Sequence, residues 1–417
     1  MKRISLFLLL FLLLKATVMY SQDGHPETNF RIVPVSPNAA SLGTFGMIPT
    51  DNYVGQANLT IPIYEIDLDG KKFPIALSYH TDGTRVAQEA TWIGLGWTLQ
   101  AGGCVVRQVQ GTDDFAARGC YNLTDAPWLT NPRFEVTDQN LEKYMGYFKG
   151  DYDAEPDMFY FNAGGHSGSM YFDVLKNNRQ LNAVPTIQTQ EKVVKMVYNT
   201  SNKTWTMTDL EGYVYSFSTK EITYYFLNTI DFFQTDITRS HIFPYYNEPQ
   251  IVTAWMLDSV TSPNGGKIMF SYKKESIFTP ISTTEDVISL SKIVNGQLSS
   301  QSPQYFTNKF NYNYSYSKIE QWTLSAITFE GGKVEFGTTD REDIESAETG
   351  KKVQKLSSIK VSDTAGNLIK TTMLEYKYLL SGMAATTNGY DDRLLLSKVY
   401  DVAGSKKNNV YTMDYNM

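Results

Sequence analysis

The chain has 417 residues, enough for a sizeable core and for more than one domain. Its formal net charge is −7, and no basic run is long enough to make nucleic acid its main partner. Aromatic residues make up 13% and charged residues only 19%, with 28 Tyr and 22 Phe. Tyr, Phe, Thr and Val suit half-buried pleated surfaces, so the composition points to β structure.

The N-terminus carries Lys2-Arg3, an apolar run from Ile4 to Leu14, and then Ser21-Gln22. This is the pattern of a secretory signal peptide over residues 1–21, and the run is too short to span a bilayer. No cysteine follows it, which argues against a lipid anchor there. The expectation is an exported protein, secreted or at the cell surface, without an integral membrane span. Residues 22–45 are rich in turn formers, as in Ser36-Pro37-Asn38, and read as an extended lead-in.

An N-terminal β domain is expected over residues 46–240. Ala57 to Tyr64 alternates as a strand, with Pro62 marking an edge or a bulge. Asp69-Gly70 signals a hairpin, and Phe73 to Tyr79 returns as its partner. The stretch from Trp92 to Asp114 then concentrates glycine and tryptophan. Gly94 and Gly96 stand beside Trp92 and Trp97, Gly102-Gly103 makes a tight turn, and Cys104 to Val109 alternates through Arg107. It reads as strand, glycine turn, strand, with a tryptophan anchored at the bend. Cys104 and Cys120 are the two cysteines; export allows a disulfide between them, and two separate buried thiols fit the pattern equally well. Leu141, Tyr144, Met145 and Phe148 have helical spacing. Strands follow at 157–161, 169–173, 193–198, 204–208 and 213–217.

Residues 241–417 repeat a loose unit of apolar strand, glycine turn and strand ending in an aromatic. The four copies are Trp255 to Tyr272, Trp322 to Phe336, Leu356 to Tyr376 and Leu395 to Tyr415. Their spacing is irregular, so hairpins sharing a sheet are expected and a fixed-period solenoid is not. Residues 277–313 are rich in Ser, Thr and Gln and read as a long inserted loop. The fold class expected is all-β: antiparallel hairpins in extended, curved or stacked sheets, with at most one or two short helices.

Several of these motifs together resemble the N-terminal region of RHS/YD-repeat proteins of the Bacteroidota type. They are Ile61-Pro62-Ile63-Tyr64, Pro74 to His80, Gly94-Leu95-Gly96-Trp97-Thr98-Leu99 with Gly102-Gly103, and Val106-Arg107. Glu155 to Phe161, Gly168 to Phe172, Ser262-Pro263-Asn264-Gly265, Arg341-Glu342-Asp343 and Arg393 to Val399 complete the set. The resemblance implies hairpins wound into a hollow β-shell, often around a C-terminal toxin, with an Asp-Pro self-cleavage element near the shell's end. No Asp-Pro dipeptide occurs in this sequence. The implied role is therefore the opening segment of such a shell, without the downstream core or toxin region.

Candidate sites for chemistry are few. Asp151, Asp153, Glu155 and Asp157 alternate as Ca²⁺ ligands can, but Pro156 occupies the place of the glycine an EF-hand needs. Gly165-His166-Ser167-Gly168-Ser169 misses the last glycine of a nucleophile elbow and lies between two strands. His25, His80, His166 and His241 form no zinc spacing. Tyr245, Tyr246, Tyr312, Tyr314 and Tyr316 are candidates for stacking on glycans; the alternation of the last three equally fits a packing stripe. Asn58, Asn122, Asn199, Asn202 and Asn313 head glycosylation triplets that matter only on a eukaryotic secretory path. The expectation is a non-enzymatic structural module without cofactor. Its partner is a downstream YD-repeat chain or a second copy, joined through an open sheet edge. The alternative is a secreted module that binds glycan or protein through exposed aromatics.

Overall fold

The computed structural model describes residues 33–47, 58–80, 88–111, 113–116, 119–122, 141, 145–146, 153, 155–173, 182–188, 194–231, 250–280, 282–289, 293–294, 297–298, 308–379, 392–404 and 406–415. The signal-peptide segment, Asp151, His25, His241, Tyr245 and Tyr246 lie outside them, as do the side chains of Tyr312 and Tyr314. The chain divides into two units. The larger takes in Val33–Gln108 and Asp157–Met417, and the smaller includes Val109–Pro156.

The larger unit begins with a helix, α1 (Pro37–Met47), and not with an extended lead-in. Ser36 is its N-cap, accepting the Ala39 N–H on Oγ at 3.2 Å, and Pro37 takes the first helical position, where a missing N–H costs nothing. The Ser-Pro pair that reads as a turn is thus a helix start. Ala39 buries against Cys104, Val106, Ala254 and Met256.

The strands are β1 (Asn58–Leu68), β2 (Lys71–His80), β3 (Trp97–Gln100), β4 (Gly103–Gln108), β5 (Met158–Ala163), β6 (His166–Tyr171), β7 (Asn182–Ala183), β8 (Thr186–Ile187), β9 (Val194–Asn199), β10 (Thr204–Asp209), β11 (Val214–Asp231), β12 (Gln250–Thr261), β13 (Lys267–Phe278), β14 (Ser282–Ser289), β15 (Ile293–Val294), β16 (Gln297–Leu298), β17 (Asn308–Phe329), β18 (Gly332–Asp340), β19 (Gln354–Ser362), β20 (Leu368–Leu379), β21 (Arg393–Ala403) and β22 (Lys406–Thr412). Every pairing among the described strands is antiparallel, and the fold is all-β as the composition implies.

β1, β2 and β3 form a separate three-stranded sheet. Its hairpin turns at Asp69 (φ 51°) and Gly70 (φ 92°), the positive pair that a two-residue turn requires. β1 lies at the sheet's edge and its register shifts between Pro62 and Tyr64, so Pro62 marks both an edge and a bulge.

The other strands, apart from the small β15–β16 hairpin, build one large sheet. The four repeated hairpins are present as β12–β13, β17–β18, β19–β20 and β21–β22. β11 and β17 run 18 and 22 residues and change partners along their length. β11 pairs with β12 and then with β17, while β17 also pairs with β13, so the sheet closes on itself through these four strands. The expected boundary between residues 240 and 241 does not hold, because β4 and β11 both pair with β12 across it. The expected loop at 277–313 is in large part strand: β14 pairs with the start of β17. Its Thr-rich sequence is polar but compatible with a pleated strand.

The core is aromatic where β5, β9, β10 and β12 meet. Trp205 lies 4.7 Å from the Tyr198 ring and 5.3 Å from Phe159, and Trp255 crosses it edge-on. Offset and edge-on pairs of this kind stabilise by about 0.5–1.5 kcal/mol each beyond burial.

In the smaller unit, residues 113–116 and 119–122 pack on each other. Asn122 donates its amide to the carbonyls of Phe115 and Ala116, and Phe115 packs on Tyr121 at 5.1 Å. Leu141, Met145 and Gly146 are helical, in keeping with the spacing read there.

Candidate functional site

The Trp92–Gln108 stretch is a corner where two sheets and the C-terminal strands meet. β3 pairs with β2, whereas β4 pairs with β5 and β12. The Gly102-Gly103 turn therefore does not fold a hairpin back; it hands the chain from the small sheet to the large one. Gly103 comes so close to β5 that a Cβ there would stand 2.4 Å from the Asn162 carbonyl oxygen.

Ahead of that turn the corner is sewn to the end of the chain by backbone hydrogen bonds. The Leu95 N–H donates to Leu394 O at 2.8 Å, and the Leu356 N–H donates to Trp92 O at 2.9 Å. Gly94 has φ +118°, and a Cβ on it would lie 2.9 Å from Leu396 N. Only glycine allows both that conformation and that approach. Trp97 is 1% exposed, lies 5.2 Å from the Tyr79 ring, and donates its indole N–H to Tyr415 Oη at 2.9 Å. The Tyr415 hydroxyl in turn donates to Leu396 O at 2.7 Å. Trp92 packs on Phe336 at 6.5 Å, and its N–H donates to Asn38 Oδ1 on α1 at 2.9 Å.

Two buried ion pairs brace the frame. Arg107 and Asp157 pair between β4 and the residue before β5, with Nε to Oδ2 at 2.8 Å and the Phe159 ring beneath the guanidinium. Arg341 pairs with Asp343 at 2.7 Å and donates to the carbonyls of Thr91 and Ala90. Asp343 also accepts the Leu394 N–H at 3.0 Å, so one ion pair holds both sides of the corner. Two carboxyls flank it. Burial pushes Glu89 up to about 7 against the pull of Arg341, and burial likewise pushes Glu275 up to about 7.

At the N-terminus of α1, Glu221 accepts the Ser36 N–H at 2.9 Å and the Thr253 hydroxyl at 3.0 Å. Its other oxygen has no hydrogen-bond partner among the described residues, and burial raises its pKa. A second polar knot joins the two sheets. Lys71 reaches Asp209 at 2.6 Å and Glu211 at 3.1 Å, and Tyr215 donates to Asp209 at 3.1 Å.

The remaining candidates are placed as follows. Asp157 is taken up by Arg107, and Glu155 donates its N–H to Asp153 at 2.9 Å. Among the described residues no three metal-ligating side chains converge. His166 and Ser167 lie in the β5–β6 hairpin, with no helix after the turn, and His166 Nε2 stands 3.7 Å from Asp209. Tyr316 is buried, stacked on Phe226 at 4.6 Å and edge-on to Phe278, which is a packing role. Cys104 and Cys120 are both buried as thiols, and burial pushes the Cys104 thiol up.

Of the residues expected at the corner, Trp92, Gly94 and Trp97 meet α1 or the last strands, whereas Gly96 lies against β2, Gly102 against β13, Gly103 against β5 and Arg107 against Asp157. Tyr415 is legible in the sequence only as the closing aromatic of the fourth repeat and Asn38 only as a turn former, and Glu221 carries no motif.

No family model matches the chain, and no curated protein matches its sequence. Several chains of solved structures show partial likeness, among them the following three. One is a crystal structure of TcdB2-TccC3-Cdc42, at TM-score 0.39 and 11% identity, covering 86% of this chain and 15% of that one. Another is a Photorhabdus luminescens Tc holotoxin pore, at TM-score 0.38 and 10% identity, covering 91% of this chain and 16% of that one. The third is a crystal structure of TcdB2-TccC3-TEV, at TM-score 0.33 and 12% identity, covering 94% of this chain and 16% of that one. The chain thus spans less than a fifth of the length of those chains.

Proposed function

We propose that this protein is a secreted, non-catalytic structural β module that forms the opening segment of an RHS/YD-type shell. The observation that supports this most is the continuity of the wall. β17 to β22 pair in sequence order, and the corner between the first two sheets is sewn onto the last hairpins. The deeply buried ionic groups, Arg107 with Asp157 and Arg341 with Asp343, hold backbone and neighbouring strands. Such pairs specify one arrangement of strands more than they add stability.

The proposed partner is a downstream YD-repeat chain, or a second copy, added to the edge strand β22. That strand pairs with β21 and is exposed from Lys406 to Thr412, including Val410 and Tyr411. An exposed edge with apolar side chains is a template for strand addition. Export rests on the N-terminal sequence pattern.

The test is light scattering on the mature chain, alone and with a YD-repeat chain added. A mass that rises with concentration or with partner supports the reading. A monomer indifferent to both contradicts it. A glycan array run in parallel separates the alternative, since saturable binding of one glycan class would put the binding module first.

A further inference from the structure

Between the small sheet and the large one lies a cavity of about 150 Å³. Ile66, Phe73 and Ile75 of β1 and β2 form one wall, and Ile268, Phe270 and Ile327 of β13 and β17 form the facing one. The space opens to solvent past exposed Pro74 and Gly165, so it is a cleft that a small solute can enter. The four isoleucines are each 2% exposed or less, so they are held within the packed layers and present an apolar floor. The glycine turns Gly102-Gly103 and Gly164-Gly165 stand along the rim together with half-buried Phe73 and Gln100.

The lining also defines the chemistry of an occupant. No lining residue carries a charge, so an ion entering would lose its hydration without a counter-charge. The polar side chains are those of Thr98, Gln100 and Asn162. Asn162 already donates its amide to Leu42 O at 3.0 Å, which anchors it against α1. An apolar cavity of about this volume accepts a benzene-sized ring. Aromatic rings at Phe73 and Phe270 provide faces or edges for such a guest.

We propose that this cavity is a binding site for a small, uncharged, ring-sized apolar ligand bearing at most one hydrogen-bonding group, of the phenol type. The site is independent of the shell reading, since it needs only the two sheets in place. Its natural occupant is defined here by class: neutral, flat and no larger than about ten heavy atoms, as the volume dictates.

The test uses phenol, with benzoate as the charged counterpart of similar size. In a methyl-labelled sample of the whole chain, phenol is expected to shift the δ-methyl signals of Ile66, Ile75, Ile268 and Ile327 saturably, and benzoate is not. At a concentration about tenfold above its Kd, phenol should raise Tm by about 1–2 °C. Ala101→Phe, which fills the space from the half-buried rim, should abolish both effects. The methyl readout needs no variant, so the proposal stays testable if Ala101→Phe does not fold. Absence of saturable shifts at these four methyls, equal response to benzoate, or an undiminished response in folded Ala101→Phe would each overturn the proposal.

Discussion

Trp97→Ala should remove a large share of the stability that the corner supplies. The indole is 1% exposed, and full burial of a tryptophan withdraws roughly 150–250 Å² from water. At about 25 cal/mol per Å² that is about 4–6 kcal/mol, of which the alanine methyl retains a small part. The variant also takes away the donor to Tyr415 Oη, loosening the hydroxyl that ties Tyr415 to Leu396 O. The net expectation is a loss of about 3–5 kcal/mol, the usual range for a buried aromatic truncated to alanine. Trp97→Phe separates the two contributions: it keeps most of the apolar area and should lose about 1–2 kcal/mol, chiefly the hydrogen bond. Urea unfolding followed by far-UV circular dichroism reads both, with the m value checked for constancy. A loss under about 1 kcal/mol for Trp97→Ala would mean that the indole does not anchor the corner.

Other outcomes follow from the same geometry. Gly94→Ala forces a Cβ against Leu396 N in a conformation alanine avoids, and should destabilise by about 3 kcal/mol or more, whereas Gly165→Ala, with φ +82° but open space around it, should lose only about 1–2 kcal/mol; equal effects in urea titrations would contradict the close-approach argument. Asp157→Asn leaves the Arg107 charge buried without its counter-ion and should lower stability by about 3–5 kcal/mol, measured by the same titration. Glu89 and Glu275, pushed up to about 7, hold their protons more tightly folded than unfolded, so their contribution is complete below about pH 4.5 and is lost as pH rises through about 7. The urea midpoint should therefore fall between about pH 5 and pH 8, and Glu275→Gln should flatten that fall; a midpoint that rises over this window would reverse the sign. In guanidinium without reductant a thiol reagent should count both Cys104 and Cys120, while the native chain should react at neither; a count near zero in denaturant would reveal a disulfide.

The hairpins were legible because their signals are local. Asp69-Gly70, Pro62 and the glycine turns of the second half each act within a few residues, and each appears where the sequence put it. The corner was legible as an anchor but not as a junction. Nothing near Gly102 says that β3 and β4 belong to different sheets, because sheet membership is decided by partners far along the chain. Trp97 meets Tyr415 across 318 residues, a separation that no local pattern encodes. α1 was hidden because its Ser-Pro start doubles as a turn signal and its Asn, Thr and Gly residues dilute helical periodicity. The strand within the expected 277–313 loop was hidden by its polarity, since alternation of apolar residues is the signal usually read.

Hydrogen exchange on the intact chain tests the central claim, that the corner and the last hairpins form one wall. The amides of Leu95 and Leu356 are bonded across it, and the Leu394 amide is bonded to Asp343, whose partner Arg341 holds the Thr91 and Ala90 carbonyls. They should exchange together, at the free energy of global unfolding, and Trp97→Ala should lower all three equally. Exchange of Leu95 at a much lower free energy than Leu356 and Leu394 would show that the corner opens by itself and does not hold the wall.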